Sequence, residues 1–130
     1  MKILKQIVTD VFKQAKAEAP LEACGYLAGK DGVITESFPM TNIDRSETHF
    51  SFDPEEQFNV MRFVREKGLK ILGVYHSHPE TPARPSAEDI RLAYDPDISY
   101  VIASTANNLE DIESFKIKQG KVTPEPLEII

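Results

Sequence analysis

With 130 residues, 41 % of them hydrophobic and 28 % charged, the chain can bury one ordinary core and has no room for a second domain. Its formal net charge of −6 repels phosphate backbones and anionic headgroups, which argues against nucleic acid or a membrane as the primary partner. Cys24 is the only cysteine, so no intramolecular disulfide can form, and a reducing compartment is the expected setting.

The first stretch, "MKILKQIVTDVFKQAKAEAP", places Ile3, Ile7, Val8, Val11, Phe12 and Ala15 at helical spacing and ends at Pro20. Lys5, Asp10, Lys13 and Lys16 interrupt every apolar run, so the segment reads as an amphipathic helix and not as a signal peptide or membrane span. A cytoplasmic protein is expected. "ACGYLAG" and "VITESF" flank the turn signal "KDG" and read as a hairpin. "MTNIDRSETHFSF" is expected to be a polar connection ending in a short strand at His49 to Phe52. In "DPEEQFNVMRFVREKG", Asp53 suits a helix N-cap, Pro54 the first turn and Gly68 the C-terminal stop.

"KILGVYH", Lys70 to His76, is apolar enough for a central strand buried on both faces. "PETPARP" has three prolines in seven residues and predicts a constrained loop. Ser86 then opens a short helix over "SAEDIRLAY", "ISYVIAS" is a second buried strand, and "DIESFKIKQ" alternates like a strand with one solvated face. The tail "KVTPEPLEII", with two prolines, fits only an edge strand. The pattern predicts one α/β domain of the α+β type spanning 1–130, a mixed sheet with helices packed on it.

Residues two apart on a strand share a face, so His76 and His78 can present their rings side by side if the strand continues through them. Two imidazoles with a carboxylate form a ligand set that zinc favours, and Asp89, one turn into the helix opened by Ser86, is the natural third ligand. A plainer reading stands beside this one. Ser86 and Asp89 have the spacing of a capping box, and His-x-His at a strand end is a weak motif by itself. A hydrolytic site also needs a general base, for which Glu22, before the first hairpin strand, is the candidate.

The full set, Glu22 followed by Cys24-Gly25-x-Leu27-x-Gly29, then His76-x-His78, seven residues, Ser86, two residues and Asp89, resembles the JAMM motif of the MPN-domain metalloproteases. The resemblance implies a curved mixed sheet flanked by helices, in the architecture shared with cytidine deaminases. It implies a single catalytic Zn2+ held by His76, His78 and Asp89, Glu22 as general acid/base and Ser86 as oxyanion stabiliser. The implied activity is hydrolysis of amide bonds after the Gly-Gly end of ubiquitin-like or sulfur-carrier β-grasp proteins, as in the small stand-alone prokaryotic enzymes. The rival within the family is a non-catalytic scaffold, marked elsewhere by missing ligands; here none is missing.

A nuclease is disfavoured by the acidic charge, and a zinc deaminase needs paired cysteines. Cys24 reads as a small buried residue in an apolar strand, with a regulatory thiol as the alternative. His49 reads as a strand-end or surface residue. Asn42 either orients substrate or makes a turn, and the sequence does not choose.

Overall fold

In the computed structural model, which describes all of residues 1–130, the first amphipathic pattern forms helix α1, Lys5–Glu18. It starts two residues later than the periodicity suggests because Ile3 belongs to a short strand, β1, Lys2–Ile3. The hairpin is β2, Cys24–Lys30, with β3, Val33–Met40. Helix α2, Pro54–Glu66, is punctuated as its sequence dictates: the Asp53 carboxylate accepts from the Glu55 N–H at 2.9 Å, and Gly68 takes a φ of +69° just beyond the helix.

The central strand β4 spans Lys70–His78 and so carries both histidines. Helix α3 is Ala87–Arg91, shorter than the sequence pattern suggests. Strands β5, Ser99–Ser104, β6, Asp111–Lys118, β7, Lys121–Glu125, and β8, Glu128–Ile129, complete the chain.

The strand expected at His49–Phe52 does not form. Only an isolated bridge joins Asn42 to Phe52. The Asn42 side chain supplies hydrogen bonds inside this loop that a ladder would otherwise provide: its amide donates to the His49 carbonyl and its oxygen accepts from the Asp44 N–H.

The eight strands form one mixed sheet in the order β7-β6-β5-β4-β2-β3-β1-β8, with β4 parallel to β5 and antiparallel to β2. The tail expected at one edge supplies both edges, β7 at one and β8 at the other, with only Pro126 and Leu127 between them. Three Cα steps reach about 11 Å at most. Seven interstrand steps of about 4.8 Å would part the edges of a flat sheet by roughly 34 Å. The sheet is therefore strongly curved, its two edges drawn together by the tail.

One face of the sheet is sealed by α1, whose Ile7, Val8, Val11 and Phe12 pack on Leu27, Tyr75, Val101 and Ala103. Each such side chain contributes roughly 1.5–3 kcal/mol of burial. The other face is shared. Val60 and Met61 of α2 cover Tyr26, Met40 and Val74, while Ile90 of α3 covers Ile102, Phe115 and Ile117. No helix is long and apolar enough to cross a membrane.

Candidate metal centre

Because β4 runs unbroken to His78, the alternation of the strand puts His76 and His78 on the face shared by α2 and α3, and turns Ser77 to the other. The Pro-rich loop 79–85 then brings α3 back over the strand end. The result is a triangle of ligand atoms: His76 Nε2 and His78 Nε2 are 3.1 Å apart, and Asp89 Oδ2 lies 3.1 Å from the first and 3.2 Å from the second. Three donors bound to one tetrahedral ion at about 2.0–2.1 Å stand roughly 3.4 Å from each other, so this group is compatible with a metal ion. All three side chains are nearly buried, with 4–8 % exposure.

The tautomer of His78 is set by its surroundings. Its Nδ1 lies 2.8 Å from the Pro82 carbonyl, which can only accept, so Nδ1 carries the hydrogen and Nε2 of the neutral ring presents a lone pair to the triangle. Lone pairs of this kind facing a carboxylate oxygen at hydrogen-bond distance repel unless a cation sits among them. Burial disfavours charge on His78, but its hydrogen bonds to Asp89 and Pro82 outweigh burial and raise its pKa. Burial likewise opposes charge on Asp89, yet the two imidazoles hold its carboxyl far below the usual carboxylate range.

Ser86 and Asp89 form a capping box: the Ser86 hydroxyl accepts from the Asp89 N–H at 3.0 Å, and Asp89 Oδ2 accepts from the Ser86 N–H at 2.9 Å. The capping and ligand readings of this pair therefore describe one arrangement, with the same oxygen serving both. The cap fixes the Asp89 rotamer, and the Ser86 hydroxyl accepts one bond while its own proton stays free to donate.

Glu22 lies just before β2. The Ala23 N–H donates to Ser77 Oγ at 2.7 Å and the Ser77 N–H donates to the Ala23 carbonyl at 2.9 Å. The register Cys24↔His76, carried two residues further, sets Glu22 opposite His78. Its side chain is 3 % exposed and its Oε1 has no hydrogen-bond partner. Burial, with Asp89 and Glu88 adding and His78 opposing, pushes its pKa up to about 8. A buried, unpartnered carboxyl beside a ligand triangle is poised to exchange a proton near neutral pH.

The site opens into a groove of about 710 Å3 between α2 and α3, floored by Val74, Tyr100 and Ile102 and walled by Phe52, Met61 and Leu92. Phe50, which sequence reasoning missed, stacks on His76 with ring centroids 4.9 Å apart and planes 30° apart. No signal in the sequence marks Phe50, since the loop that carries it has no period. His49 lines the same groove, with its Nδ1 3.0 Å from Asp44 Oδ2. Cys24 is fully buried and its thiol is pushed up to about 12, first by burial and then by surrounding carboxylates, so it stays protonated and out of reach.

The family model for prokaryotic homologs of the JAB domain matches residues 4–118. A CysO-cysteine peptidase of Mycobacterium tuberculosis is 37 % identical over 98 % of this chain and 90 % of its own length. A desampylase of Haloferax volcanii is 33 % identical over 75 % of this chain and 73 % of its own. Among solved structures, a Desulfitobacterium hafniense protein superposes with a TM-score of 0.90 at 41 % identity, covering 100 % of this chain and 93 % of the other.

Proposed function

The chain belongs to the family of prokaryotic homologues of the JAB domain, and from that premise we propose that it is a single-domain, zinc-dependent peptidase of the JAMM type. It cleaves the amide bond after the C-terminal Gly-Gly of a small β-grasp sulfur carrier or ubiquitin-like protein. The observation that carries this reading is the unpartnered buried carboxyl of Glu22 beside the His76–His78–Asp89 triangle. A scaffold that only bound partners would have no use for such a group, which costs free energy to bury.

His76, His78 and Asp89 would hold the zinc, which supplies a Lewis acid able to activate water and polarise a carbonyl near neutral pH. The protein's own groups do the rest. The Pro82 carbonyl keeps the His78 Nε2 lone pair turned inward, and the Ser86 N–H keeps Asp89 Oδ2 in place. Glu22 takes the proton of the attacking water and returns it to the leaving amine, and the burial that raises its carboxyl above the ordinary range makes it a stronger base toward that proton. The free proton of the Ser86 hydroxyl donates to the oxyanion as charge develops on it. The groove, apolar along most of its floor, receives the extended chain on the acyl side of the bond. A cytoplasmic location fits a chain whose single thiol is buried and reduced.

Cleavage of a β-grasp protein extended by one amino acid beyond Gly-Gly, compared with the same protein joined through Gly-Gly to a lysine amine, tests the reading. The relatives named as CysO-cysteine peptidase and desampylase make both bonds reasonable substrates. Release of the β-grasp protein from either, and none from a fusion whose Gly-Gly is replaced by Ala-Pro, is the expected result. Indifference to the Gly-Gly end would overturn the proposed specificity.

A further inference from the structure

The loop from Thr41 to Asp53 carries no period and no motif residue, yet it touches both halves of the site. At its centre Asn42 is 4 % exposed, and its side chain is engaged at both ends. Nδ2 donates to the Glu22 carbonyl at 3.0 Å and the His49 carbonyl at 3.0 Å, with the Ser46 carbonyl at 3.4 Å. Oδ1 accepts from the Asp44 N–H at 3.1 Å and lies 3.4 Å from the Ser51 N–H. One buried amide thus replaces a stretch of strand ladder and gathers the loop into a single closed unit.

That unit grips Glu22 on both sides of its backbone. The Glu22 N–H donates to the Ser46 carbonyl at 2.9 Å while its carbonyl accepts from Asn42. Glu22 lies before the first ladder residue of β2, so these two bonds, together with the pairing of Ala23 with Ser77, fix where its carboxyl stands. The residue after His49, whose carbonyl Asn42 holds, is Phe50, which stacks on His76. The neck of the loop is closed by the Asn42–Phe52 bridge and by the Ile43 N–H donating to the Ser51 carbonyl at 3.1 Å. One side chain therefore ties the backbone of the base to the segment that braces a ligand ring.

We propose that Asn42 is a positioning residue that sets the spacing between Glu22 and the metal ligands by clamping the Glu22 carbonyl to the His49–Phe50 segment. This rests on the reading of Glu22 as general base. Nothing about Asn42 reaches substrate: it acts through Glu22 and Phe50.

The test uses the full chain carrying Asn42→Ala and, as a near-isostere that loses the Nδ2 donors, Asn42→Asp. Three quantities are read on each: kcat and KM on the Gly-Gly fusion, metal content, and amide exchange at Glu22. Outer partners of this kind typically cost about 10–100-fold when removed. The expected result is a loss of that size in kcat with KM within about twofold and metal retained, alongside faster exchange of the Glu22 N–H than in the wild type and unchanged exchange at Tyr26. A folded variant with wild-type kcat overturns the proposal.

Exchange in the wild type decides the matter even if both variants fail to fold or no fusion is cleaved. A Glu22 N–H that opens together with the Ile43 N–H, in one protected unit, supports the clamp. A Glu22 N–H that exchanges freely while Tyr26 stays protected overturns it. A wild type that binds zinc but cleaves nothing contradicts the hydrolase reading instead, and leaves the clamp to be judged on exchange.

Discussion

The two faces of β4 present the same backbone to different tasks. Toward α1, Tyr75 is 1 % exposed, its hydroxyl donates to Gln14 Oε1 at 2.5 Å, and a Cβ on Gly25 would stand 2.4 Å from that hydroxyl and 2.4 Å from the Phe38 carbonyl oxygen. Toward α2 and α3, the same strand offers Val74 and His76 to a groove of about 710 Å3. One helix fills the first face completely, and two helices set apart leave the second face open. The lesson is that rigidity on one side permits chemistry on the other, because ligands on a strand locked from behind need little reorganisation to act.

The comparison breaks most visibly at the ligands. His76→Ala and Asp89→Ala are expected to take metal content from about one ion per chain to about none and to abolish cleavage, since two protein ligands fall short of the three that hold a catalytic zinc. Elemental analysis beside the fusion assay checks this, and a variant that keeps its metal would remove that residue from the site. Glu22→Gln should lower kcat by about 10²–10⁴-fold while metal and KM stay near wild type, the signature of a lost proton transfer. If KM rises and kcat holds, Glu22 binds substrate and does not move a proton.

Acidity sharpens the contrast further. In the chelated protein the folded pKa of Glu22, about 8, lies above its ordinary value of 4.5, so between those values the folded state binds more protons than the unfolded one. Stability contributed by protonated Glu22 is present in full below about pH 4.5 and is lost as pH rises through about 8. His78, raised by Asp89 and Pro82 against burial, slopes the same way. Denaturant titrations of chelated protein should show falling stability from pH 5 to 8, and Glu22→Gln should flatten that slope; an unchanged slope would place the titration elsewhere.

The smallest effect belongs to the sealed face. Tyr75→Phe leaves Gln14 Oε1 short of a donor and should cost about 1–3 kcal/mol of stability with kcat unchanged. A kcat change there would mean that the two faces are coupled through β4.

Local rules make much of the molecule legible before folding. Asp53, Pro54 and Gly68 delimit α2 as their chemistry dictates, and the period of two predicts that His76 and His78 share a face. The spacing of Ser86 and Asp89 signals a capping box, though not that one oxygen serves cap and triangle together. What stays hidden is non-local. Strands β1 and β8 are two residues each: β1 forms by pairing with β3, and β8 forms because the two ends of the chain meet, with the Glu128 N–H donating to the Met1 carbonyl. The short strand expected at His49–Phe52 is replaced by side-chain bonds from Asn42, and no residue pattern distinguishes an asparagine that makes a turn from one that organises a loop.

The most direct test is removal and return of metal. Chelation should abolish cleavage of the Gly-Gly fusion, and about one equivalent of Zn2+ should restore it in the wild type and fail to restore it in Asp89→Ala. Cleavage that persists in chelated, metal-free protein would contradict the account, because the triangle at the end of β4 would then have no part in the chemistry.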